Sequence, residues 1–286
     1  MRQELPRITL VTPSFNQASF LEATIRSVLD QAYPDLEYIV IDGGSTDGSV
    51  EIIRKYEDRL AFWTSQRDKG QTDAIGRGFS RATGEIMNWL NSDDLLAPGA
   101  LSHIAQLAEA TPRAAILAAA TESFVDGHFN GLRVKSIPTN LTVDGFLFRN
   151  GLPVQRHQPG IFFRRDPYER IGGFQNNYHI CMDVDLHLRM VAAGGEVAYS
   201  ERTVAFFRRH AASKTQGGSV PNALQAVREY MAICESVGAQ TGLRPNHRAA
   251  HWRTLLGSAR SALFRGRGVE LAKVACLGIR VAILGR

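Results

Sequence analysis

Apolar and polar positions in the first hundred residues alternate between two rhythms. Short apolar runs at 8–12, 36–41, 60–64 and 85–90 have the length and composition of buried strands. Between them, segments 19–31, 49–56 and 72–82 read as helices, the first carrying Phe20, Ile25, Val28 and Leu29 at helical spacing. Strand–helix alternation with short turns predicts a mostly parallel sheet covered by helices on both faces, an α/β architecture. Ligands of such sheets bind beyond the carboxyl ends of the strands, so chemistry is expected just after Val11, Ile41 and Leu90. Further on, a helix is expected at 99–110 before the apolar run 114–120. Segment 121–160 is irregular and rich in Gly, Pro and Asn, and another helix is expected at 183–193. From about residue 222 the pattern is helical only. The reading is therefore one α/β domain over 1–221 and a helical extension over 222–286.

Three acidic clusters fall where the sheet argument wants them. Asp42 ends its strand and opens DGGSTDG, whose glycines allow a tight turn and a close approach of backbone to ligand. The same residues also suit a plain turn with Asp as a helix cap. Asn91-Ser92-Asp93-Asp94 follows the run IMNWL. Adjacent carboxylates repel unless a positive group lies between them, and Mg²⁺ or Mn²⁺ bridging to a diphosphate would serve. The sequence SDD is equally a good helix cap. In Met182-Asp183-Val184-Asp185, residues two apart on a helix point in different directions, so one carboxylate is expected to face a cleft. A helix N-terminus favours the ionised form that a general base needs, although dipole compensation alone would also explain acids there. Candidate phosphate partners are Lys69, Gly70, Arg156, His157, Arg208, Arg209 and His210, with His210 also a possible metal ligand.

Composition adds an asymmetry. Residues 243–286 hold nine Lys and Arg against one acid, Glu270, while the rest of the chain holds 24 basic and 27 acidic residues. A basic tail on a mildly acidic body suits an anionic surface such as phospholipid or polyprenyl phosphate. Trp252, Leu255, Leu256, Ala259, Ala262 and Leu263 fall at helical spacing. Segment 269–284 is almost wholly apolar apart from Glu270, Lys273 and Arg280, yet it is shorter than the roughly 20 residues that span a bilayer. An interfacial helix fits it, as does a helical hairpin packed on the body or a homodimer interface. Nucleic acid fits less well, because aromatics barely interleave with the bases. Three separated cysteines and the polar start MRQELPRITLV suit a reducing, cytoplasmic setting on the inner face of the cell membrane.

The segments TPSFNQASFLEATIRSVLDQ, IDGGSTDGS, DKGQTDAIGRGF, ATGEIMNWLNSDD, MDVDLHLR and RRHAASKT, in this order, resemble the inverting glycosyltransferases of family 2 with the GT-A fold. DKGQTDA is similar to the branch of bacterial O-antigen and capsule enzymes that build glycans on a polyprenyl diphosphate. The resemblance implies a nucleotide-sugar donor, with a UDP-hexose favoured, and a lipid-linked glycan acceptor. It implies donor binding by Thr12, Pro13, Asn16, Asp42, Lys69, Asp73, Asn91 and Asp93, with Asp42 facing the base. It further implies a Mg²⁺ or Mn²⁺ ion at Asp93, Asp94 and His210, and Asp183 as catalytic base. Asn91 stands where many members carry Asp, and Met182-Asp183 replaces their Glu-Asp pair. Two other readings are a nucleotidyltransferase, whose Gly-rich phosphate loop TPSFNQASF does not match, and a catalytically silent sugar-nucleotide binder.

Overall fold

The computed structural model describes residues 5–246 except 130, 132, 150–153 and 211–219. In chain order the first elements are β1 (Ile8–Ser14), α1 (Ala18–Leu29), β2 (Leu36–Asp42), α2 (Ser49–Arg54), β3 (Phe62–Ser65), α3 (Gln71–Phe79) and β4 (Ile86–Trp89). Then come β5 (Leu95–Leu96), α4 (Ala100–Ala110), β6 (Ala114–Val125), β7 (Val134–Ser136), α5 (Val143–Phe146) and β8 (Ile161–Arg164). The last described elements are α6 (Arg165–Arg170), α7 (Met182–Ala192), β9 (Glu196–Arg209) and α8 (Val220–Thr241).

Among the described residues nine strands form one sheet in the order β3-β2-β1-β4-β8-β6-β9-β5, with β7 paired to β6. The strands β3, β2, β1 and β4 run parallel, as the alternation requires. β8 joins antiparallel and β9 returns parallel to β6. Burial explains the continuous apolar runs. Successive residues of β1 serve opposite faces, Leu10 on the side of α1 and α4, Val11 on the side of α3 and α7. On α1, Leu21, Ile25, Val28 and Leu29 are buried, each stabilising by roughly 1.5–3 kcal/mol as an upper estimate. On the other face, α3 lies so close to β1 that a side chain at Gly78 would overlap Val11.

The run 114–120 is the start of β6, and the Phe-Phe-Arg-Arg segment ends the fourteen-residue β9. α8 falls in the extension expected from residue 222. Its Ile233, Cys234 and Val237 are buried in the same cluster as Met182, Val184 and Leu188 of α7. The basic residues and apolar stripe read from residue 247 onward lie outside the described residues. Among the described residues no helix is long and apolar enough to cross a membrane.

Candidate active site

The carboxyl ends of β1 and β2 are stitched together by the loop that Asp42 opens. Asp42 is fully buried, and its oxygens accept from the amides of Gly44 and Ser45 and from the hydroxyls of Ser45 and Ser65, at 2.5–3.0 Å. Its carboxylate therefore braces the loop from behind. Asn16, in the left-handed region at φ 50°, accepts from the Thr46 amide at 2.9 Å, while its own amide donates to Ser45 Oγ. Thr12 is buried and hydrogen-bonded to Tyr38 Oη at 3.0 Å, and Pro13 is buried beside it. Lys69 is exposed; its amide donates to Asp73, which also pairs with Arg77 at 2.8 Å.

Beyond β4 the Asn-Ser-Asp-Asp turn divides its labour. Asp93 Oδ2 lies 2.9 Å from His210 Nε2. Asp94 is buried and turned inward, accepting from the Arg208 amide at 2.9 Å and facing Asn91 Nδ2 at 3.4 Å. Burial, then the neighbouring Asp93 charge, push the Asp94 carboxyl well above the usual range. Arg208 is already committed: its side chain donates to the Asp93 carbonyl at 2.8 Å and pairs with Asp126 at 2.6 Å. It thus fastens the end of β9, and with it His210, to the acidic turn. The sequence could not reveal this, because the two segments are 115 positions apart.

α3 joins this turn to the third cluster. Gln71 Nε2 donates to Asn91 Oδ1 at 2.7 Å, and Thr72 Oγ1 donates to the Tyr178 carbonyl at 3.1 Å, just ahead of α7. On α7 the two carboxylates diverge as their spacing predicts. Asp185 is buried against Arg189 at 2.6 Å, whereas Asp183 lines a cavity and pairs with Arg156 at 2.6 Å. Burial alone would raise the Asp183 carboxyl, but the charge and hydrogen bond of Arg156 hold it below the ordinary carboxylate value. One turn along, His187 is fully buried with both ring nitrogens lacking a hydrogen-bond partner. Burial, then the Arg156 charge, push it down to about 3, so it is neutral at pH 7. His157, a phosphate candidate by sequence, is hydrogen-bonded to Thr121 Oγ1 at 2.9 Å and is likewise biased toward neutrality by burial.

Residues 9–172 match the family described as glycosyl transferase family 2, more than half of the chain. The chain belongs to that family. Among curated relatives, an uncharacterized glycosyltransferase of Mycobacterium tuberculosis is 32% identical over 186 residues, covering 64% of this chain and 68% of the relative. A Campylobacter jejuni enzyme named GalNAc(5)-diNAcBac-PP-undecaprenol beta-1,3-glucosyltransferase is 35% identical over 108 residues, covering 36% of this chain and 35% of the relative. Two solved structures share the fold. Staphylococcus aureus TarS 1-349 in complex with UDP-GlcNAc has TM-score 0.60 at 11% identity, covering 98% of this chain and 92% of that one. Mannosyltransferase PcManGT from Pyrobaculum calidifontis, in complex with GDP-Man and Mn²⁺, has TM-score 0.60 at 17% identity, covering 98% and 81%. The expected GT-A architecture and family are thereby borne out, and the protein is a glycosyltransferase.

Within this family 2 chain, the acidic turn fits a divalent ion by its donors. Asp93 offers a hard carboxylate oxygen and His210 a borderline nitrogen, a combination that Mn²⁺ accepts readily. The two side chains are hydrogen-bonded to each other at 2.9 Å, so both donor atoms face the same point. Among the described residues no group of three or more His, Cys, Asp or Glu forms a complete cage, so remaining positions would fall to ligand oxygens and water. Sequence reasoning missed Glu229, whose carboxylate accepts the amides of His179, Ile180 and Cys181 at 2.8–3.0 Å and so fixes the entry to α7. No local signal announces it, since a lone Glu in a helical pattern reads as solvent-facing.

Proposed function

We propose that this glycosyltransferase inverts the anomeric centre of a nucleotide sugar, favoured as a UDP-hexose, while transferring it to a polyprenyl-diphosphate-linked glycan in cell-surface polysaccharide assembly. The observation that carries this reading is Asp183, an ionised carboxylate that lines a cavity at the start of α7. Asp183 takes the proton of the acceptor hydroxyl as that oxygen bonds to the anomeric carbon. The bond from that carbon to the diphosphate breaks, and its electron pair leaves with the nucleoside diphosphate. Asp93 and His210 would hold Mg²⁺ or Mn²⁺, which when bound supplies positive charge toward the diphosphate. Asp94 supports that pair from below by tying β9 to the turn.

Thr12, Pro13, Asn16 and Asp42 would line the nucleoside side of the cleft, with Asp42, which also holds the loop through Gly44 and Ser45, facing the base. Lys69, Asp73 and Asn91 would flank the donor on the α3 side. The Campylobacter jejuni relative, named for a lipid-linked substrate, supports a lipid-linked acceptor. The Mn²⁺ complex supports the metal. In this reading the extension expected over 222–286, through the basic residues of 243–286, holds the enzyme on the anionic inner face of the membrane. The test is nucleoside diphosphate release from a panel of nucleotide sugars with Mg²⁺ or Mn²⁺ and membrane lipid extract. Metal-dependent release from one donor, accelerated by lipid, supports the reading. A protein that binds the nucleotide tightly yet releases nothing would be a silent binder instead.

A further inference from the structure

Phe20 has the spacing of the apolar stripe of α1 but not its burial. The buried residues of α1 are Leu21, Thr24, Ile25, Val28 and Leu29, whereas Phe20 is only half-buried. Helical side chains lean toward the N-terminus, and α1 begins at the carboxyl edge of β1, so Phe20 reaches the site rather than the core. Its ring lies 4.7 Å from the His210 ring between centroids, with the planes tilted by 43°. The Arg208 guanidinium sits over the same ring at 4.9 Å and over Phe124 of β6 at 4.8 Å. One turn further along α1, the Thr24 hydroxyl is fully buried, 2.9 Å from the Ser92 carbonyl and 2.8 Å from the Asp94 carbonyl. Ser27, on the same face, accepts the Leu96 amide at 3.0 Å. One face of α1 therefore carries the acidic turn and the end of β9 together.

We propose that Phe20 is a positioning residue for the Asp93–His210 pair: its ring orients the His210 imidazole and holds Arg208 in place, so both metal-binding groups are set before an ion arrives. The inference rests on reading Asp93 and His210 as the metal pair, and adds a residue that offers the ion no ligand atom of its own.

The ring acts on both members of the pair. His210 follows the last residue of β9, and an imidazole that changes rotamer must be ordered when an ion binds, which weakens binding. Packed on Phe20, with Nε2 already 2.9 Å from Asp93 Oδ2, it has lost that freedom on folding. Arg208 carries the effect to Asp93, because its side chain donates to the Asp93 carbonyl at 2.8 Å and its amide to Asp94 at 2.9 Å. Stacking on Phe20 and Phe124 fixes the plane of the guanidinium that makes the first of these bonds. An aliphatic side chain at position 20 would cover the same neighbours but would supply no ring face to either.

The experiment titrates Mn²⁺ into the full chain in the presence of UDP, reading free Mn²⁺ by electron paramagnetic resonance, so no turnover is needed. Phe20→Leu should weaken Mn²⁺ binding about tenfold, the lower end of what loss of a supporting group around a metal costs. Phe20→Tyr keeps the ring and should return Mn²⁺ affinity to within about threefold of the unaltered protein. UDP affinity measured with a chelator should stay within about twofold in both variants. With no metal added, the His210 ring-proton resonance should shift in Phe20→Leu, since an aromatic ring 4.7 Å away perturbs it. An unmoved resonance overturns the proposal, as does equal loss of Mn²⁺ affinity in the Leu and Tyr variants. If Phe20→Leu binds Mn²⁺ normally while His210→Ala does not, Phe20 loses its role and the metal pair stands. If His210→Ala binds Mn²⁺ as tightly as the unaltered protein, the metal pair itself fails and the proposal falls with it.

Discussion

Arg156 Nη1 lies 2.6 Å from Asp183 Oδ2, and both side chains are largely shielded from water. The pair makes a carboxylate that burial alone would neutralise into one that stays ionised. Arg156 is itself on fixed backbone. Its neighbours are held by the paired amides of Thr139 and Gln155 and by the His157–Thr121 hydrogen bond. Among the described residues the other groups facing the pair do not supply a competing cation: His187 is neutral, Cys181 is pushed up by burial as a thiol, and Tyr230 hydrogen-bonds to backbone.

Replacing the arginine should consequently move the pH profile. With Asp183 held low, the acid limb of kcat/KM lies below the ordinary carboxylate range. In Arg156→Gln the main opposition to burial is lost and only weaker partners such as the Val184 amide at 2.8 Å remain, so the Asp183 pKa rises and the acid limb moves to higher pH, whereas Arg156→Lys restores part of the shift. The stability linkage has the same origin. A depressed native carboxyl contributes stability above its unfolded pKa and loses it as pH falls through the native value, so this contribution shrinks in Arg156→Gln. A pH–rate profile identical to that of the unaltered enzyme would remove Arg156 from this role.

Asp93 and His210 should govern metal-linked nucleotide binding. For the unaltered enzyme, UDP affinity is expected to increase when Mn²⁺ is added. Asp93→Ala should erase that increase, and His210→Ala should reduce it by roughly 10–100-fold, the scale seen when a metal site loses supporting groups. Titrating UDP with Mn²⁺ and with a chelator checks both. An Asp93→Ala protein whose UDP affinity still responds to Mn²⁺ contradicts the assignment.

Glu229 should act on the reaction without touching it. Its carboxylate holds three amides immediately before α7, so Glu229→Gln weakens charged hydrogen bonds, each worth about 1.5–3 kcal/mol in general. Thermal melting should fall and kcat should drop while UDP affinity stays near its original value. Glu229→Asp should recover part of kcat. If kcat and UDP affinity fall together, the residue supports the fold as a whole rather than the entry to α7.

Gly78 offers a test of the α3–β1 contact. A methyl group there would overlap Val11, so Gly78→Ala should destabilise the protein by about 1–3 kcal/mol despite the better helix propensity of alanine. Chemical denaturation measures it. Unchanged stability would mean that α3 and β1 are less closely packed than described.

Much of this was legible in the sequence wherever the signal is local. β1 and β2 announce themselves as apolar runs, and α1 as a helical stripe, because each buries its own residues on a sheet face. The acids after β2 and β4 and at the start of α7 were legible because a parallel sheet puts ligands at its carboxyl edge. What the sequence hid depends on distant partners. β9 alternates weakly because several of its positions are exposed, so it carries little strand pattern. The inward turn of Asp94 depends on Arg208, and the ionisation of Asp183 depends on Arg156, which lies 27 positions away.

The most direct test of the central claim is single-turnover transfer by Asp183→Asn beside UDP binding by the same protein. Asparagine keeps the shape and can still meet Arg156, but it cannot take a proton. The account predicts that transfer falls by about 10²–10⁴-fold while UDP affinity stays within about twofold. Undiminished transfer in that variant would contradict it, and the base would have to be sought elsewhere.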